Sequence, residues 1–204
     1  SGVLPNGKPV VVNADGTVSV VSVTSATQAL GSAVVFESAN SRYMDAAFDS
    51  ANNRVVISYE DAGNSGYGTA VVGTVSGTSI SFGTPVVYQS SQVYYTGATF
   101  DSNASKVVIV YYNAGNSGYG TAIVGTVSGT TISFGTAAVF ESATTNYSEI
   151  TFDSTSNKVV ISYADGGNSN YGTAVVGTVS GTNISFGTPV VFESAGSIWT
   201  TVIF

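Results

Sequence analysis

Acidic side chains carry nearly all the catalytic chemistry this sequence could perform, because histidine and cysteine are both absent. Without them, serine and cysteine triads and histidine or thiolate metal sites are excluded, so any bond cleavage would rest on carboxylates. Asp49, Asp101 and Asp153 recur 52 residues apart in a Phe-Asp-Ser turn, a setting in which a carboxylate ordinarily caps its own backbone. That turn lacks the alternating oxygen ligands and closing acidic residue of a calcium loop. Asp61 and Asp165 open glycine-rich loops at 61–69 and 165–173, and with Glu60 they could hold a surface cation weakly. The glycines are not a phosphate cradle, since no helix follows and no Lys accompanies them. Asp45 and Glu149 stand at equivalent places in two copies of a repeat. A glycan-cleaving enzyme uses such a pair, but no second acidic residue recurs close to either. The expectation is a protein that is not an enzyme, with no cofactor and no metal.

The elements that position these residues come from the repeat itself. Tyr43, Tyr95, Tyr147 and Trp199 are spaced 52 residues apart. The same step carries Phe48 onto Phe100, Phe152 and Phe204, Tyr67 onto Tyr119 and Tyr171, and Phe36 onto Tyr88, Phe140 and Phe192. Four such steps nearly fill the 204 residues, and a period of this length indicates a propeller, a solenoid or an array.

The third copy reads as four strands. Strand A, 147–152, alternates with period two and ends in the turn formers of 153–157. Strand B, 158–163, is a β-branched run that stops at Asp165-Gly166-Gly167-Asn168. Strand C spans 173–180, a tight Gly181-Thr182 turn follows, and strand D spans 184–192. Gly187 and Pro189 interrupt strand D, as suits an outermost edge. No stretch has apolar residues at helical spacing with caps, so almost no helix is expected.

The predicted fold is therefore all-β: a four-bladed β-propeller with four antiparallel strands per 52-residue blade, forming a single domain over 1–204. Complete repeats span 43–94, 95–146 and 147–198. A composite blade joins 199–204 to 1–42: residues 197–204 supply strand A, while Lys8 to Val12, Thr17 to Thr24 and the segment near 32–36 supply B, C and D. Completion by a neighbouring chain, giving a larger ring or a swapped homo-oligomer, is the competing arrangement. In a sandwich of about seven strands two repeats would have to lose a strand, and a solenoid needs caps that are not seen.

Charged residues make up 8% of the chain, against roughly a quarter in ordinary domains, and hydrophobic residues 43%. Solubility must rest on Ser, Thr, Asn and Gly, a composition met in extracellular and virion-surface β proteins. The net charge of −7 with five basic residues leaves no cationic patch, which argues against nucleic acid and anionic membranes as partners. No apolar run approaches a membrane span, so no membrane insertion is expected. No charged and apolar leader opens the sequence, and a signal peptide is expected to be absent or removed.

Strands B, C and most of D are nearly identical between copies. Differences gather between the end of D and the middle of A: Asn40 to Asp45, Gln92 to Gly97, Thr145 to Glu149 and Gly196 to Thr201. Copies share one packing problem, so positions free of it are those that diverge after duplication. In a propeller the D–A and B–C loops lie on one face and strand A lines the axis. The variable segment then meets the longest loop at the mouth of a central channel, and loops on a rigid scaffold are where binding resides. There Tyr43, Tyr95, Tyr147 and Trp199, flanked by Arg42, Asp45, Tyr94 and Glu149, would offer amphipathic contact area to sugars, peptides or proteins. The competing role for the same rings is packing between neighbouring A strands or plugging the channel. The B–C tyrosines are expected to pack between blades. In the N-terminal segment the short turn Asn13-Ala14-Asp15-Gly16 replaces the longer B–C loop and predicts a notch in the rim.

Residues 116–136 (Asn-Ser-Gly-Tyr-Gly-Thr-Ala-Ile-Val-Gly-Thr-Val-Ser-Gly-Thr-Thr-Ile-Ser-Phe-Gly-Thr), Ala-Val-Phe-Glu-Ser at 138–142, and the opening run 6–18 resemble repeats in virion and tail-associated proteins of marine bacteriophages. The resemblance covers essentially the whole chain and brings no catalytic residues. It implies a location on a virion surface or outside a cell. It also implies a recognition or adhesion role whose partner is a host-surface glycan or protein. Its alternative is a structural assembly subunit that contacts other virion proteins and takes no small ligand.

Overall fold

The computed structural model describes residues 7, 9–21 and 30–203, which fall into two units, 1–31 and 32–204. In the first, β1 (Val10–Val12) and β2 (Val18–Val20) pair as an antiparallel hairpin with Val12 opposite Val18. The expected short turn closes it: Asn13 N donates to the Thr17 carbonyl, and Asp15 Oδ1 accepts from both the backbone N and the hydroxyl of Thr17. Lys8, the end of the expected strand C at 22–24, and Phe204 lie outside the described residues.

The second unit is one antiparallel sheet of thirteen strands. The first copy supplies β3 (Ser41–Asp49), β4 (Arg54–Asp61), β5 (Tyr67–Ser76) and β6 (Ser79–Phe82). β7 (Val86–Asp101) leads into the second copy, with β8 (Lys106–Asn113), β9 (Tyr119–Ser128) and β10 (Thr131–Phe134). β11 (Ala138–Asp153) leads into the third, with β12 (Lys158–Asp165), β13 (Tyr171–Ser180), β14 (Asn183–Phe186) and β15 (Val190–Gly196). Helix among the described residues is limited to three short 3-10 turns at Ala62–Asn64, Ala114–Asn116 and Gly166–Asn168, so none is long and apolar enough to cross a membrane.

Local chemistry sets these bounds. The B strands are β-branched runs buried on both faces; Val107, Val108, Ile109 and Val110 of β8 are wholly inaccessible. Gly77, Gly129 and Gly181 take positive φ in the two-residue C–D turns, as a hairpin of that length requires. Strand D is broken as the Gly and Pro suggest. β6 and the start of β7 both pair with β5, and Gly83 to Pro85 lie between them.

The D–A connection is not the loop expected. β7 and β11 are continuous 16-residue strands: the first half of each pairs with the C strand behind it and the second half with the B strand ahead. At the hand-over Val93 N donates to the Gly66 carbonyl and Thr145 N to that of Gly118, which ties the junction to the C strand behind it.

Successive copies pack through one interface used twice. Tyr88 packs on Tyr111 and Phe134, and Phe140 packs on Tyr163 and Phe186. Gly83 and Gly135 let the backbone carbonyls of Thr130 and Thr182, in the next copy's C–D turn, approach where a Cβ would stand. At the far end the same surface is uncovered: Phe192 is 59% exposed, against 7% for its equivalent Phe140. Residues 197–203, read from sequence as a strand A, form no strand. Residues 32–36 likewise form no strand D, although Phe36 still packs on Tyr59 and Phe82. The strand path runs from β14 to β3, with no pairing between its ends among the described residues.

Candidate functional site

Each A strand carries a β-bulge, and the 52-residue aromatic sits in it. The register slips between Arg42 and Asp45, between Tyr94 and Gly97, and between Asn146 and Glu149. Tyr43, Tyr95, Tyr147 and Trp199 have φ of 48, 49, 54 and 54°, the left-handed region. For a bulky side chain that conformation costs on the order of 1 kcal/mol or more, so something must hold it. Part of the restraint comes from the next copy. The Tyr43 carbonyl accepts the Thr96 hydroxyl, and the Tyr147 carbonyl accepts that of Thr200 at 2.6 Å. Trp199 keeps the conformation even without a strand around it.

The bulges turn the four rings to one side, where they form a ladder. Centroids of Tyr43 and Tyr95, Tyr95 and Tyr147, and Tyr147 and Trp199 are 5.2, 4.8 and 4.9 Å apart. Tyr94 extends it, edge-on to Tyr43 at 5.4 Å and to Tyr112 at 5.2 Å. Tyr112 was missed by the sequence comparison. The signal was present, since positions 60, 112 and 164 read Glu, Tyr and Ala within strands that otherwise repeat closely. Burial and then the neighbouring Tyr147 and Tyr43 raise the Tyr95 phenol pKa.

The four rings line a cavity of ≈ 170 Å³ together with the residues that follow them, Met44, Thr96, Ser148 and Thr200, and with Glu149. Burial, reinforced by the charge of Asp45, raises the Glu149 carboxyl to about 6. Asp45 itself is held in place: Oδ1 accepts from Ala46 N and Oδ2 from Ala98 N of the next copy, both at 2.8 Å. The fold thus brings together two carboxylates from copies 104 residues apart in the chain. Both Asp45 oxygens are engaged by backbone donors, which suits positioning better than proton transfer. Ser148 occupies the place of Thr96 and Thr200, yet its buried hydroxyl has no partner among the described residues. Arg42 is not drawn into the cavity. Its Nε lies 3.8 Å from Oε2 of buried Glu60, whose Oε1 accepts from Gln92.

The aspartates that recur in the turns serve those turns. Asp49, Asp101 and Asp153 accept backbone N–H groups two or three residues on. Asp61 and Asp165 accept from Asn64 N and Gly167 N in the B–C turns. Tyr67, Tyr119 and Tyr171 make no ring-to-ring contact among the described residues; the expected packing between copies falls to Tyr88 and Phe140 and their partners. At the other end of the A strands, Phe48, Phe100 and Phe152 line a second, more open hollow with small residues such as Ala46 and Ala98.

Set against known proteins, the chain matches no protein-family model and no curated protein. The residues themselves therefore carry the functional reading. An aromatic wall, one half-buried carboxylate and buried hydroxyls can bind and orient a ligand.

Proposed function

We propose that this chain is a non-enzymatic recognition or adhesion module on a virion or cell exterior, and that it binds a surface glycan or protein through the aromatic face. The observation that carries the reading is the four-fold retention of a strained aromatic around one cavity, in the segment where the copies otherwise diverge. Strain of this kind gathers at ligand sites. Each stacked ring contributes about 0.5–1.5 kcal/mol beyond its buried area. Glycan-array or whole-cell binding should therefore fall about tenfold in Tyr95→Ala and in Trp199→Ala. Unchanged binding in both variants would sink the assignment.

The architecture proposed for this face is the four-bladed propeller, its fourth blade built from 199–204 and 1–42. Support comes from the uncovered interface of the third copy, where Phe192 and Gly187 hold the places of Phe140 and Gly135 with no further copy packed on them among the described residues. The same surface, with Val190 and Val191 also exposed, favours a second reading as an assembly subunit completed by another virion chain. A solution mass of one chain supports the closed monomer, and a concentration-dependent oligomer supports assembly.

A further inference from the structure

We infer that the aromatic cavity takes an amino sugar, with the ammonium group against Glu149, the sugar ring against the stacked side chains and a ring hydroxyl against Ser148. The assignment rests on the recognition reading above and names its ligand class.

Three features of the cavity have to be satisfied together. The first is charge. Glu149 is half-buried and makes no hydrogen bond or ion pair among the described residues, while Asp45 adds a second negative charge beside it. Arg42, the basic residue nearest in sequence to this rim, is committed to Glu60, and Arg54 donates to the Gly129 carbonyl. A cation entering the cavity would supply the missing counter-charge. The second feature is the wall. Tyr and Trp faces attract ammonium groups and also stack on the apolar C–H face of a sugar ring.

The third is Ser148, a residue of the cavity lining that is buried beyond nine-tenths and whose hydroxyl has no partner among the described residues. A buried hydroxyl left unpaired is costly, and a ligand hydroxyl satisfies it. Each simpler ligand leaves one feature unmet. A neutral sugar leaves Glu149 uncompensated. A lysine side chain or choline can reach Glu149 and one ring but offers no extended C–H face to the remaining rings. A bare divalent cation wants six or more oxygens, carboxylates and carbonyls above all, and the lining supplies the single carboxylate of Glu149.

Calorimetric titration of the intact chain at neutral pH would use four probes: a short glucosamine oligomer, the matching N-acetylglucosamine oligomer, choline and calcium. The glucosamine oligomer should bind roughly tenfold more tightly than its acetylated counterpart. Glu149→Gln should abolish that preference by weakening the glucosamine oligomer far more than the acetylated one, and Ser148→Ala should weaken both oligomers. Equal binding of the two oligomers by the wild-type chain overturns the ammonium assignment and leaves glycan recognition standing. Choline or calcium binding as tightly as the glucosamine oligomer, with loss in Glu149→Gln, overturns the sugar. If no probe binds while glycan-array binding still depends on Tyr95 and Trp199, the amino-sugar inference fails alone. Array binding that ignores those rings removes the recognition reading as well.

Discussion

Glu149 shows how a single side chain reports its surroundings. Its folded-state pKa of about 6 lies above the ordinary glutamate value, so the folded chain holds the proton more tightly than the unfolded one. The stability linked to this group is therefore fully present at low pH and is lost as pH rises from about 4.5 through about 6. Because the carboxyl is half-exposed, solvent screening limits the effect to roughly 1 kcal/mol or less. Glu149→Gln should raise the denaturant midpoint slightly at pH 7 and flatten the pH profile over that window. A profile unchanged by the substitution would mean the carboxyl is not strained by Asp45 and burial. The identity of this residue was visible in the sequence, and so was that of Asp45. Their proximity was not, because it depends on how the A strands of the first and third copies converge. The left-handed backbone of the aromatics was equally hidden: Tyr and Trp give no hint of positive φ, which is usually signalled by Gly or Asn.

The bulged A strand is the element that makes the site. Thr96 restrains the bulge of the previous copy through the Tyr43 carbonyl, so Thr96→Val should cost about 1 kcal/mol in chemical denaturation. Ser148→Thr is the informative reverse. It installs the side chain that donates to a carbonyl in the second and fourth copies, and it should stabilise by a similar amount while narrowing the cavity. Sequence reading placed strands A to C well because their turns carry Asp, Asn and Gly at fixed offsets. The D–A junction is strand and not the loop that divergence between copies suggests. A strand's hydrogen bonds are indifferent to side chains, so Asn146, Tyr94 and their neighbours could diverge without breaking β7 or β11. Variation there followed freedom from packing, not absence of structure.

At the scale of the molecule, the repeat supplies its own control. Gly135→Ala would drive a methyl group into the Thr182 carbonyl and should destabilise by about 1–3 kcal/mol. Gly187→Ala meets only the Val176 carbonyl at 3.7 Å in the described structure and should be nearly neutral if that edge stays open. Thermal unfolding of the two variants thus reports on ring closure or assembly: equal losses mean that a further copy covers the third, and the unequal result means an open edge. The 52-residue period and the strand chemistry made the all-β antiparallel sheet legible in advance. Closure was not legible, because it depends on what meets Phe192, and no local pattern encodes that.

The uninterrupted strands β7 and β11 also bear on how the chain carries load, which the proposed attachment role would call on. Each belongs to two copies at once, so adjacent copies are joined without a slack linker between them. Tension applied along the chain passes from one copy to the next through backbone that is laddered on either side of the junction, and pulling on one copy loads its neighbour before either can peel away. Such a chain behaves as a spliced cable and not as beads on a string.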